Sequence, residues 1–231
     1  MKILVIPLAL IVCTAARADL VITEVMAKSA HATGIFDGDW WELTNTGASA
    51  VDLTGYKWDD DTPSPSNFPS VTIQPGQSMI IMQDTAVNAV GWKTAWGLPA
   101  ATVVLDKDQF VKINVGDESF SNLSANGDQV NLYNASGTLV ARAEFGVATT
   151  GRSFAWHRDG TAIHGLISTA GKHGAVVSNQ VPADTGSPGN ARIHFISSPQ
   201  RYGKTNYSYA ISAQNPGFAA PVITATGLPG F

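Results

Sequence analysis

Apolar and polar residues alternate in short runs along this chain, and glycine, proline, asparagine and serine separate the runs. The densest run is Asp39-Trp40-Trp41-Glu42-Leu43-Thr44-Asn45-Thr46-Gly47. On a pleated strand successive side chains face opposite ways, so Trp41 and Leu43 share one face and Trp40, Glu42 and Thr44 the other. Trp41 and Leu43 are expected to point inward. Glu42 is then a solvated carboxylate on the outer face unless specific donors hold it, because carboxylates are seldom buried unpaired.

The same period recurs on both sides of that run. Residues 19–26 form a strand with Leu20, Ile22 and Glu24 on one face and Val21, Thr23 and Val25 on the other, and residues 28–38 form a small, polar loop. Residues 51–58 alternate again, with Val51 and Leu53 on one face, until Gly55 interrupts as a bulge or turn. Residues 59–67 carry the proline and Asp/Ser content of a loop. Residues 68–73, a Gln74-Pro75-Gly76-Gln77 turn and residues 78–83 give a strand, a tight turn and a strand rich in Ile and Met. Between Thr85 and Trp96 the alternation lapses, and Val87, Val90, Trp92 and Trp96 suggest a short helix or irregular cover over a sheet edge. Residues 101–105 and 110–115 are weaker strands, and Asn126-Gly127 signals a turn. Residues 129–133, Asn134-Ala135-Ser136-Gly137 and residues 138–145 predict a β-hairpin. Residues 146–191 look loop-like, although Gly151-Arg152-Ser153-Phe154 and Thr185-Gly186-Ser187-Pro188-Gly189-Asn190-Ala191 stand out.

Composition agrees with many short strands: 44% hydrophobic and only 14% charged residues, with 22 glycines and 12 prolines, exclude a disordered chain or a coiled coil. Residues 1–18 resemble a cleaved export signal, with Lys2, an apolar run over 3–12 that is short for a membrane span, and Ala16-Arg17-Ala18 as a small-x-small cleavage pattern. The rival use of Cys13 as a lipid-attachment site is disfavoured by Val12 before it. Loss of Lys2 and Arg17 with the leader takes the net charge from −4 to −6, which opposes binding to nucleic acid. The single cysteine leaves as well, so no disulfide is expected in the mature chain.

The ordered landmarks 20–26, 39–45 and 51–56, the Pro75-Gly76 turn, 126–133 and the closing Ser187-Pro188-Gly189-Asn190 together resemble a lamin-tail domain spanning residues 19–191. The resemblance implies an all-β, immunoglobulin-like β-sandwich and a non-catalytic module of the kind found on exported bacterial proteins and on nuclear lamins. The long Gly/His-rich segment 155–184 and the weak strand signal at 100–122 depart from the family pattern. Residues 192–231 resemble the first half of an immunoglobulin-like domain of large bacterial surface proteins, and are expected as a short C-terminal β appendage to the sandwich or the start of a truncated second domain.

Few side chains suggest chemistry. Asp59, Asp60 and Asp61 supply oxygen ligands that suit calcium, but lack the spacing of a known calcium loop, and a solvated acidic turn is the ordinary reading. His157, His164 and His173 match no zinc spacing. The stretch around Ser187 lacks the frame of a nucleophile elbow, and neither a phosphate loop nor a dinucleotide fingerprint is present. Trp40, Trp58, Trp92 and Trp96 could present flat faces to a sugar or a partner, although packing into the core is the default for tryptophan. The expectation is a secreted or cell-surface, non-catalytic binding or adhesion module, with a protein or polysaccharide ligand, no transmembrane span, and no cofactor unless calcium. The alternative is an accessory domain of a larger secreted hydrolase or nuclease.

Overall fold

The computed structural model describes residues 20–31, 38–60, 65–110, 122–158, 160 and 162–189. The leader and residues 192–231 lie outside the described residues. In chain order the elements are β1 (Leu20–Met26), β2 (Trp40–Asn45), β3 (Val51–Asp52), β4 (Lys57–Asp59), β5 (Ser66–Asn67), β6 (Thr72–Ile73), β7 (Ser78–Met82), α1 (Ala86–Ala95), β8 (Val103–Asp106), β9 (Asp128–Tyr133), β10 (Leu139–Phe145), β11 (Phe154–Trp156), β12 (Ala162–Ile167), β13 (Val176–Val177) and β14 (Thr185–Gly186).

Two sheets face each other. The larger has the order β12-β11-β1-β2-β7-β8 and the smaller β10-β9-β4-β5, with the short pairs β3-β6 and β13-β14 beside them. Between the sheets lie Ile22, Val25, Trp41, Leu43, Met79, Ile81, Phe154 and Trp156 from one side and Trp58, Val130, Leu132, Ala143 and Phe145 from the other. Trp41 sits at the centre, its ring 5.3 Å from Trp58 and 6.2 Å from Phe68. Trp41 and Leu43 point inward as the alternation requires.

The outer face of the large sheet is covered as well, so all six residues of β2 are buried. Strands β7 and β8 run parallel, and parallel neighbours need a crossover, which α1 supplies. Just before the helix Asp84 accepts from the Thr85 N–H at 2.7 Å and from the Asn88 side-chain amide at 2.9 Å, which ties the first turn to the residue before it, while the N-cap Thr85 makes no side-chain cap bond. Helix α1 lies across the sheet face rather than over an edge. It packs Ala89, Trp92 and Trp96 on Met26, Trp40, Ile80 and Met82 to form a second apolar core.

The hairpin of β9 and β10 and the turns at Gly55 and Asn126-Gly127 form where the sequence places them. Residues 51–58 divide at Gly55 into β3 and β4, which belong to different sheets. The Gln74–Gln77 turn likewise carries the chain from one pair to another. Gly76 takes φ 74° there, and its N–H reaches the Asn45 carbonyl at 2.7 Å. Residues 59–67 are less loop-like than expected, since Asp59 ends β4 and Ser66–Asn67 pair back on it. Of residues 110–115, only Phe110 lies within the described residues, and it is buried.

Two sequence expectations need correction. Strict alternation in β1 put Ile22 with Glu24, but a bulge between them shifts the register. Ile22 and Val25 therefore both face the inner core, while Thr23 and Glu24 turn to the other side. The loop-like reading of residues 146–191 fails too, because β11 pairs with β1 and β12 with β11. Strand β11 has only three residues, and the Ala-Ile-His-Gly-Leu-Ile run of β12 is broken by His164-Gly165 and does not alternate, so neither shows a clear period.

Trp41→Ala is expected to lower unfolding free energy by about 3–5 kcal/mol in chemical denaturation. Val87→Ser, at a position 86% exposed on α1, is expected to change it by less than about 0.5 kcal/mol.

Candidate functional site

The bulge in β1 brings Glu24 opposite Glu42 on the same sheet face. Both are 1% exposed. Glu42 is thus a buried carboxyl held by donors, and the solvated reading is corrected: α1 and the closing segment 184–189 cover the face it points to. Glu24 accepts from the Ser187 N–H at 2.7 Å, from Ser187 Oγ at 2.8 Å and from Ser153 Oγ. Glu42 accepts from Thr23 Oγ1 and from the Gly189 N–H, each at 2.5 Å. Behind Thr23 the hydroxyls of Thr44 and Ser78 continue the chain at 2.9 and 2.8 Å.

Burial, first, and the negative Glu24 beside it, second, push the Glu42 carboxyl up to about 8; Thr23, the Gly189 N–H and the Arg158 guanidinium pull the other way. Near neutral pH the Glu42 carboxyl is therefore held mainly in its protonated form. Its 2.5 Å contact with Thr23 suits a short O–H···O bond running in either direction.

A second buried polar cluster lies at the other end of the closing segment. His31 Nε2 is 2.9 Å from Ser178 Oγ, and His31 Nδ1 is 3.5 Å from Asp184 Oδ2. Asp184 also accepts from the Ala30 N–H at 2.6 Å and Ser29 Oγ at 2.7 Å. In outline this is a Ser-His-Asp arrangement. Its surroundings argue against acyl transfer. Ser178 Oγ accepts the Asp184 N–H at 2.9 Å, and the residue is 5% exposed. The two N–H groups best placed to polarise a substrate carbonyl are engaged, Ser178 N with the Asp184 carbonyl at 2.8 Å and Asn179 N with the Ala95 carbonyl at 2.7 Å. The cluster clasps residues 28–31 to the base of the 178–184 loop. Sequence reasoning passed over His31, Ser178 and Asp184, which lie far apart in the chain and share no motif.

The remaining candidates fall elsewhere. Trp40, Trp58, Trp92 and Trp96 are all buried, so the reading that they offer faces to a ligand is corrected in favour of core packing. Trp40, Trp92 and Trp96 pack edge-on or tilted at 5.5–6.0 Å between the sheet and α1. Asp59 is turned inward, bound by the Asn131 amide at 3.0 Å, and burial pushes its carboxyl up while Asn131 and Tyr133 pull it down. Asp60 offers its backbone carbonyl to the same amide at 2.7 Å. Asp61 lies outside the described residues. His157 follows β11, His164 lies on β12, and His173 is exposed in a turn with φ 51°, so the three histidines occupy separate elements. Among the described residues no group of three or more His, Cys, Asp or Glu side chains is placed to hold a metal ion.

Two facing sheets with a buried aromatic centre define an immunoglobulin-like β-sandwich. The sequence model of the Lamin Tail Domain family matches residues 14–147, more than half of the chain. The chain belongs to that family, whose fold is generally non-catalytic. No curated protein matches the chain.

Glu42 generates a pH prediction. Above about 4.5 the unfolded chain loses this proton, while the folded chain keeps it to about 8, so stability falls as pH rises through that window and levels off above it. Glu42→Gln keeps a neutral side chain there; its carbonyl can take the Gly189 N–H, and its amide can meet Thr23. Urea midpoints measured from pH 5 to 9 are expected to fall more steeply in the wild type than in Glu42→Gln; parallel curves would contradict the assignment.

Proposed function

We propose that this chain is an exported, non-catalytic recognition module that works at the cell surface or in the medium. The observation that supports this best is where its buried ionisable groups are engaged. Glu24, Glu42, His31 and Asp184 hold the chain's own backbone and hydroxyls, which suits a scaffold that displays loops. Membership in the lamin-tail family supports the same reading. Export is supported by the leader-like residues 1–18. A protein or polysaccharide ligand fits the acidic balance better than nucleic acid does. Among the described residues no helix is long and apolar enough to cross a membrane.

The purified chain is expected to show no turnover of ester, glycoside or phosphodiester substrates, and no labelling of Ser178 by a fluorophosphonate. Turnover abolished by Ser178→Ala or Glu24→Gln would overturn the non-catalytic reading. Mass spectrometry of the exported product is expected to find Asp19 at its N-terminus.

A further inference from the structure

The closing segment 184–189, Asp-Thr-Gly-Ser-Pro-Gly, is read almost residue by residue by the rest of the domain. The Asp184 carboxylate is fixed by the Ala30 N–H, Ser29 Oγ and His31. Thr185 donates its N–H to the Gly151 carbonyl at 2.8 Å and accepts the Ser153 N–H at 3.1 Å, while its other edge pairs with Val177. At Gly186 an added Cβ would meet Glu24 Oε1 at 2.7 Å, Ser153 Oγ at 3.0 Å and the Trp96 ring at 3.3 Å, so a side chain there would displace Glu24 from its donors. Ser187 binds Glu24 through both its N–H and its hydroxyl, Pro188 is buried, and the Gly189 N–H reaches Glu42.

We propose that this surface is a peptide-binding site, and that residues 184–189 occupy it as a tethered ligand. The site takes an extended peptide of the pattern Asp-x-Gly-Ser-x-Gly. The first carboxylate is anchored beside His31, the backbone is added as a strand between Ser153 and Val177, and the last turn donates to the paired carboxylates Glu24 and Glu42. The acceptors and the close contacts at Gly186 lie on residues 23–178, outside the segment they recognise, with Ser178 holding both the N–H and the carbonyl of Asp184. A peptide of this pattern on a second copy meets the same groups. In the intact chain the short tether keeps the local segment at an effective concentration on the order of millimolar, so an outside peptide enters only when the tether is cut.

This deepens the recognition-module reading by naming a site, and the two fail separately: loss of peptide exchange leaves the absence of catalysis untouched, and turnover would not affect exchange. The test uses the full chain with a specific protease site introduced at the exposed residues 181–183, where Val181 is 84% exposed. After cleavage, a fluorescent Asp-Thr-Gly-Ser-Pro-Gly peptide is added and followed by anisotropy. Uptake is expected in the cleaved protein, at least tenfold weaker in the uncleaved protein, and at least tenfold weaker for peptides carrying the Gly186→Val or Ser187→Ala change. Because the changes are made in the peptide, folding of the protein is not in question. No uptake at millimolar peptide, or equal uptake of the Gly186→Val peptide, would overturn the proposal.

Discussion

Two carboxylates on neighbouring strands, both closed off from water, must be given hydrogen-bond donors or protons, and the outer half of this domain is arranged to provide them. An unpaired buried carboxylate is among the least favourable groups a core can hold. Here Glu24 receives backbone and hydroxyl donors from Ser187 together with Ser153, and Glu42 keeps its proton while receiving Thr23 and Gly189. The donors come from residues 23, 153, 187 and 189, so the arrangement forms only when distant segments have found their places. This links the N-terminal strand to a closing segment more than 150 residues later, a tie that local hydrophobic contacts alone would not specify.

The two faces of β2 divide the work. The inner face, through Trp41 and Leu43, joins the sheets by apolar burial, which is strong but tolerant of exact partners. The outer face combines the indole cluster under α1 with the carboxylate pair under residues 184–189. Polar contacts there demand defined geometry, so they fix where the closing segment sits. The family match ends at residue 147, yet β11, β12 and the closing segment complete the same sheet and cover the same carboxylates. Segment 148–189 is therefore structural to the domain rather than an addition to it.

The legible parts of the fold were those with a period. Trp41 and Leu43 inward, the hairpin at Asn134–Gly137, the Pro75-Gly76 turn and the all-β class follow from alternation and turn chemistry in windows of five or more residues. The β1 bulge was not legible, because one extra residue inverts every later side chain and leaves composition unchanged. The solvated reading of Glu42 rested on the rule that carboxylates are seldom buried unpaired, and the donor that overturns it, Gly189, lies far along the chain. Strand β11 was hidden by its three-residue length, and β12 by a run without alternation that His164-Gly165 interrupts. The choice of Trp40, Trp58, Trp92 and Trp96 as ligand-binding faces went against the default that large aromatics are buried, and the default holds; the site at 184–189 was visible only as a stretch that stood out without a reason.

The N–H groups of Ser187 and Gly189 in the closing segment are locked onto the buried carboxyl groups of Glu24 and Glu42. Amide hydrogen exchange at Ser187 and Gly189, measured near neutral pH in the intact protein, tests it most directly. Exchange is expected to be as slow as that of the β2 amides at Trp41 and Leu43, while rates matching an open surface loop would contradict the locking.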